Sequence, residues 1–404
     1  MKKIISFILF LCMVFSLAVV SFAADDAGKT VLVVSYKTLK GSFVEEYSVF
    51  HDGWTAAIQK SMDGNYKDVT VTLKKDWLSE DGQFTPDFRN KDGFDYDAIN
   101  FPGGSHITLD LNGFKIDRQL ESWEYNGEVI SIDESANVVI KNGTIRGGFS
   151  GNGAGGIHIY GGNVTLENVK VTGNKVDDDD GAGIALLGGT LVMKGGSISD
   201  NEGTVTGANV LGGGLVVYGG EATLNDVTIS GNYIHGGTRA KNCGAGVCVV
   251  EGTANLNNCT IENNKTSSAG GAIYVMTDKG EINLDKCVVT GNTAGWDGNA
   301  IYLENGLCKV TNSNIFSNTN ADGDPSVYLM YGEIELDNCY LDDEIYNVDG
   351  NFTWGKQLVE PLTLPGSLIA NDSTIAIVFG AIAVVAAVVA FAFAKKKNRT
   401  DEEK

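Results

Sequence analysis

The densest set of chemistry-bearing side chains in the chain is the run Asp177–Asp180. Adjacent carboxylates can hold a hard cation such as calcium when a tight loop turns their oxygens inward, and Asp200, one repeat on, would be a further donor. Four like charges in succession also make an ordinary solvated loop, and no EF-hand spacing accompanies them. The expectation is therefore no obligatory cofactor, with calcium at Asp177, Asp178, Asp179 and Asp180 as the metal candidate. "NTNADGDP", with Asp322 and Asp324, is a second candidate of the same kind. A different chemistry is offered by Tyr160, Tyr218, Tyr274, Tyr302 and Tyr328, which recur at related positions and would suit stacking on sugar rings or contact with a protein. His158, in "GGIHIYGG", has no obvious partner and reads as a surface residue.

What positions these residues is a repeat. Apolar triplets follow glycines at "ISI" (130), "IHI" (157), "IAL" (184), "LVV" (215), "VCV" (247), "IYV" (273), "IYL" (301) and "VYL" (327), in steps of 26 to 32 residues. Each leads to a second alternating segment, such as "VTLEN" or "INLDK", and then a third, such as "VKVTGN" or "TISGN". Three short strands per repeat, always in the same order and without hairpin dipeptides, exclude a sandwich of antiparallel hairpins. They fit a coil in which each repeat makes one turn and equivalent strands pair in parallel, about 4.8 Å apart.

Two asparagine registers support that stacking. Asn174, Asn201, Asn232, Asn264, Asn292 and Asn318 each lie three residues past the apolar centre of the third strand. Asn142, Asn168, Asp226, Asn258, Asn312 and Asn338 mark the bend between the second and third strands, with Gly195 and Lys286 as exceptions. Asparagine tolerates a left-handed backbone, and its amide both donates and accepts, so stacked copies can bond from coil to coil.

These features, over residues 105 to 350, resemble the right-handed parallel β-helix of the pectin-lyase-like superfamily. The implied fold class is all-β, a right-handed three-sheet parallel β-helix solenoid over 105–349. An N-terminal α/β capping region fills 24–104, where Trp54, Ala57, Ile58 and Met62 share a helical face and Val69, Val71 and Leu73 alternate as in a strand. A cap is expected because an open sheet edge invites pairing with other chains.

In enzymes of that superfamily the substrate lies along the outside of the first-strand sheet. The outward column expected here is Ser131, His158, Ala185, Val216, Cys248, Tyr274, Tyr302 and Tyr328. Beside it run Asp133, Tyr160, Leu187, Tyr218, Val250, Met276, Glu304 and Met330. Two carboxylates far apart, and no lysine or arginine, match neither the paired acids of a glycosidase nor the basic residue and calcium cluster of a lyase. The polygalacturonase-like motifs are missing as well. The expected activity is a non-catalytic, adhesin-like or glycan-binding module using the five tyrosines. The alternative is a divergent polysaccharide lyase or glycoside hydrolase acting through loop acids such as Asp177, Asp178, Asp200 and Glu304. The tyrosine strip reads equally well as an open surface or as one stacked on itself and covered by loops.

The ends and the charge place the chain. Residues 1–23 read as a cleavable signal peptide, 350–374 as a linker, 375–394 as a transmembrane helix and 395–404 as a basic cytoplasmic tail. A loose sorting-signal pentapeptide, Leu364–Leu368, is the rival reading of the tail. The expectation is a single-pass protein of the bacterial cell surface whose partners are an extracellular glycan or a host or neighbour-cell protein. A net charge of −21 argues against nucleic acid and anionic lipid. Cys259, Cys287, Cys339 and Cys308 read as core residues. Cys243 and Cys248 read as surface residues, with a disulfide between them left open.

Overall fold

The computed structural model describes residues 30–78, 99–207, 210–236 and 242–364. The expected signal peptide, transmembrane helix and cytoplasmic tail lie outside these residues. Among the described residues, no helix is long and apolar enough to cross a membrane.

Glycine and asparagine at fixed offsets decide how the chain coils. Every residue expected at the second-to-third-strand bend has a left-handed backbone, from Asn142 (φ 59°) to Asn338 (φ 53°), including the two exceptions, Gly195 (φ 65°) and Lys286 (φ 56°). A conformation that costs most side chains energy is thus adopted at one place in every coil, where an amide or a glycine tolerates it. The apolar triplets form a ten-stranded parallel sheet that begins at Ile99–Phe101, continues at Ile130–Ile132 and ends at Ile345–Asn347. Its register is strict, so that Tyr274 pairs with Tyr302 and Tyr302 with Tyr328. Side chains alternate across each strand, which sends Ile157 and Ile159 into a continuous apolar core.

The expected three sheets need revision in two respects. The second and third strands share one hydrogen-bonded sheet, because a single left-handed residue bends the chain without breaking the ladder. Asn163–Thr172 is one ten-residue strand paired along its length with Thr190–Ser199. A short fourth strand follows the third in the middle coils, at Phe149–Ser150, Lys175–Asp177, Glu202–Val205, Tyr233–Gly236 and Lys265–Thr266. It buries Val176, Val205 and Ile234 with Ala182, Val210 and Ala245 in a separate small core.

Inside the corner after the third strand stands the predicted asparagine row. The side-chain amide of Asn174 donates to Asn201 (3.0 Å), and the relay passes through Asn232, Asn264 and Asn292 to Asn318 at 2.9–3.0 Å per step. From Asn201 onward each side-chain oxygen also accepts the backbone N–H of the preceding asparagine, the Asn174 oxygen accepts the Gly148 N–H instead, and each amide donates to a backbone carbonyl as well. All six are buried, and every side-chain polar atom of the row has a protein partner.

The first coil is covered as expected. Leu32–Thr38 pairs antiparallel with both Gly41–Tyr47 and Lys67–Leu73, and the latter pairs in parallel with His106–Asp110. The helix Phe50–Met62 packs Phe50 on Trp77 (4.6 Å) and Trp54 on Phe101 (4.9 Å). Met62, expected on that face, is exposed; Phe50, four residues before Trp54, takes the buried position instead. At the other end the ladder continues through Asn351–Trp354, inside the stretch expected to be a linker.

Removing one amide from the row should destabilise the whole solenoid. Asn264→Ala leaves the Asn232 backbone N–H and the Ile229 carbonyl without their side-chain partner. A loss of about 2–4 kcal/mol is expected in urea unfolding. The exposed bend variant Asn258→Gly, which keeps the left-handed backbone, should cost less than about 1 kcal/mol.

Candidate functional site

The outward face of the ten-stranded sheet carries the expected column, and the structure divides it into three zones. At the C-terminal end the tyrosines stack on one another. Ring centres of Tyr274 and Tyr302 are 5.1 Å apart, of Tyr302 and Tyr328 4.9 Å, and of Tyr328 and Tyr346 5.1 Å. The rings lie within 5° of parallel for the first two pairs. Both faces of Tyr302 and Tyr328 are therefore occupied, and the strip offers ring edges rather than faces. Tyr274 is 3 % exposed and Tyr346 is 55 % exposed, so the ladder emerges progressively from the protein. Tyr346 belongs to the triplet "IYN", which follows its predecessor by 18 residues instead of 26 to 32 and so escaped the repeat.

In the middle zone the wall is roofed. The two longest steps of the repeat place their extra residues between the fourth and first strands, where Val210–Leu211 pairs with Asn242–Cys243. Beneath this roof Ala185, Val216, Cys248 and Tyr274 of the wall pack against Ala154, Leu211, Cys243 and Ala269. Cys243 and Cys248 are thus buried rather than superficial, and no disulfide joins them. Burial raises the Cys248 thiol well above its ordinary range, which keeps it protonated and unreactive. Cys259, Cys287, Cys308 and Cys339 are buried free thiols inside the solenoid.

The aspartate run fastens this roof. Asp178 accepts the backbone N–H groups of Thr206 (2.7 Å) and Gly207 (2.8 Å) and the Thr206 hydroxyl. Asp179 accepts from the Gly153 N–H in the preceding coil. Asp180 accepts the Leu211 N–H (2.5 Å) and the Tyr218 hydroxyl in the following coil. Three neighbouring carboxylates therefore point to three places, because the chain bends at Asp178, which has a left-handed backbone (φ 55°). Asp177 stands apart on the fourth strand, and Asp200 occupies the corner before Asn201. Asp324 bonds the Asn320 amide (2.7 Å) and Asp322 is exposed. Among the described residues, no three His, Cys, Asp or Glu side chains gather as a metal-binding set. Calcium at Asp177–Asp180 would require Asp178, Asp179 and Asp180 to leave their present partners, whereas the Asp177 Oδ1 is buried without one.

Burial pushes the Asp180 carboxyl up to about 6, against the two donors that favour its ionised form, and Asp179 is raised for the same reason. Tyr218 and Tyr274 are raised, first by burial and then by carboxylates and thiols beside them. The Tyr274 hydroxyl donates to Glu304. Glu304 and Asp180 thus each accept from a tyrosine hydroxyl of the wall.

In the N-terminal zone His158 departs from its expected place on the surface. It is 6 % exposed and stacked on Tyr160 at 4.0 Å. Burial lowers its pKa to about 4, so the imidazole is neutral at pH 7. Tyr160 and Tyr218 are half-buried and do not join the tyrosine ladder. Exposed aromatics that the repeat did not reveal, Trp123, Tyr125, Trp296 and Tyr331, lie in loops where no periodicity marks them.

Residues 97–289 match the family model of the right handed beta helix region. A search of curated proteins and of solved structures found no match. The chain is a right-handed parallel β-helix protein, and its β-helix domain fits a pectin-lyase-like fold.

The raised Asp180 carboxyl sets a direction for pH dependence. Folded Asp180 holds a proton at pH values where the unfolded carboxyl, near 3.8, has released it. Its stabilising contribution is full below about pH 4 and is lost as pH rises through about 6. Between pH 4 and 7, wild type should therefore lose on the order of 2 kcal/mol relative to Asp180→Asn, as measured by chemical denaturation at each pH.

Proposed function

We propose that this protein is a non-catalytic binding module of the bacterial cell surface, held by the apolar segment 375–394, whose first-strand wall recognises an extended neutral glycan. The observation that carries this reading is the tyrosine ladder, which ends at the half-exposed ring of Tyr346. Its steps of 4.9–5.1 Å present a straight row of ring edges and hydroxyls on a rigid sheet. Edges and hydroxyls suit hydrogen bonding to sugar hydroxyls along a chain, and the free face of Tyr346 suits stacking on one sugar ring. The net charge of −21 favours neutral glycans over uronic-acid polymers, which would need bridging cations. The dispersed wall acids favour binding over hydrolysis or elimination.

The test is a glycan and cell-surface-protein array probed with the full-length chain in detergent. Retention of neutral oligosaccharides is expected, with affinity about tenfold lower for Tyr346→Ala, corresponding to about 1.4 kcal/mol. The unfolding midpoint should be unaltered, since this ring packs on one side only. Binding to proteins alone, or release of reducing or unsaturated sugar ends from any bound glycan, would remove the reading.

A further inference from the structure

The N-terminal zone of the wall carries a feature that the tyrosine ladder does not use. Asn100, Ser131 and His158 are paired in register on three successive strands, all on the outward face. Ser131 is 1 % exposed and His158 is 6 % exposed. The Asn100 Oδ1, the Ser131 Oγ and the His158 Nδ1 are all buried without a hydrogen-bond partner. Burying one such atom destabilises a fold, and native proteins leave few of them. Three in one row, where the same sheet further on is packed with Ala185, Val216 and Cys248, mark a place shaped for something other than packing.

We infer that Asn100, Ser131 and His158 form the floor of a subsite for the hydroxyl edge of one neutral sugar residue, under the loop 147–156. This rests on the glycan-binding reading and extends it to a second region of the wall. The chemistry of the row selects the ligand class. The Asn100 amide nitrogen is engaged with Asp133, which leaves its oxygen as an acceptor. Ser131 both donates and accepts, and a neutral imidazole nitrogen does either according to tautomer. Neighbouring hydroxyls of a sugar present the same mixture. An anion would meet Asp133 and Asp179 beside the row, and a cation lacks a third ligand of the required kind.

The roof comes close to the row. The stretch Gly147-Gly148-Phe149-Ser150-Gly151-Asn152-Gly153-Ala154-Gly155-Gly156 contains six glycines. Gly153, at φ 118°, lies against the His158 ring so closely that a β-carbon there would strike it. Phe149–Ser150 pairs with Lys175–Val176, the Gly151 N–H donates to the Glu124 carbonyl (2.9 Å), and the Gly153 N–H donates to Asp179, which sets the roof over the row. At its rim Trp123, 55 % exposed, packs on Gly151 and offers an aromatic lip on which a sugar ring can stack.

The experiment labels the histidine rings of the full-length chain. Four signals are expected from the four histidines, and the one missing in His158→Gln is assigned to His158. Titration with glucose, galactose or N-acetylglucosamine, each used as a probe, should shift the His158 signal to saturation while the other three stay fixed. Ser131→Ala and, as a surface change that does not threaten folding, Trp123→Ala should each weaken that response at least fivefold. Sulfate should leave it unchanged. A silent His158 while Tyr346-dependent glycan retention persists would overturn the subsite and leave the wall reading intact. A His158 response with no retention on the array would support the subsite and remove the wall reading. Unchanged affinity in both variants would also overturn the subsite.

Discussion

Each asparagine of the buried row from Asn174 to Asn292 bonds its side-chain amide to an asparagine placed directly above it in the next coil. The row from Asn174 to Asn318 consists of six amides with no access to water. A slip of one residue in any coil would therefore strand several polar atoms at once. That penalty locks neighbouring coils into the same register, and register in turn aligns everything else. Ile over Ile in the core, left-handed bend over bend, and tyrosine over tyrosine on the wall all follow from one repeated hydrogen-bonded corner.

Alignment here works through sameness. The stack brings like side chains from successive coils into rows. Rows of asparagine give stability, and a row of tyrosines gives a linear surface. The acids, which are not in a row, are each consumed locally. Asp178, Asp179 and Asp180 tie three different segments of the roof together, so that charge which might have served an ion serves loop placement instead.

Much of the architecture was legible because its signals are periodic. Asparagine at two fixed offsets foretold both the bend and the amide row, down to the exceptional positions Gly195 and Lys286. The fourth strand was missed because "KVD" and "YIHG" are too short and too varied to show alternation. The roof was missed for a stronger reason. Whether Cys248, Ala185 and Val216 face water depends on loops from other coils, and a side chain's own sequence neighbours carry no record of what lies over it. His158 was misplaced by the same blindness. Tyr346 was lost when the last coil shortened, since a register argument fails where the period changes.

The unequal coil lengths bear on how such a protein can change over generations. The surplus residues of the two longest coils leave the solenoid at a single corner, where they build the Val210–Leu211 and Asn242–Cys243 cover. Insertions and deletions there would alter what shields the wall without disturbing a single rung of the amide row. Substitutions elsewhere in a coil must satisfy the coils above and below it. The molecule thus separates a constrained frame from an editable visor, and descendants could remodel the second while inheriting the first unchanged.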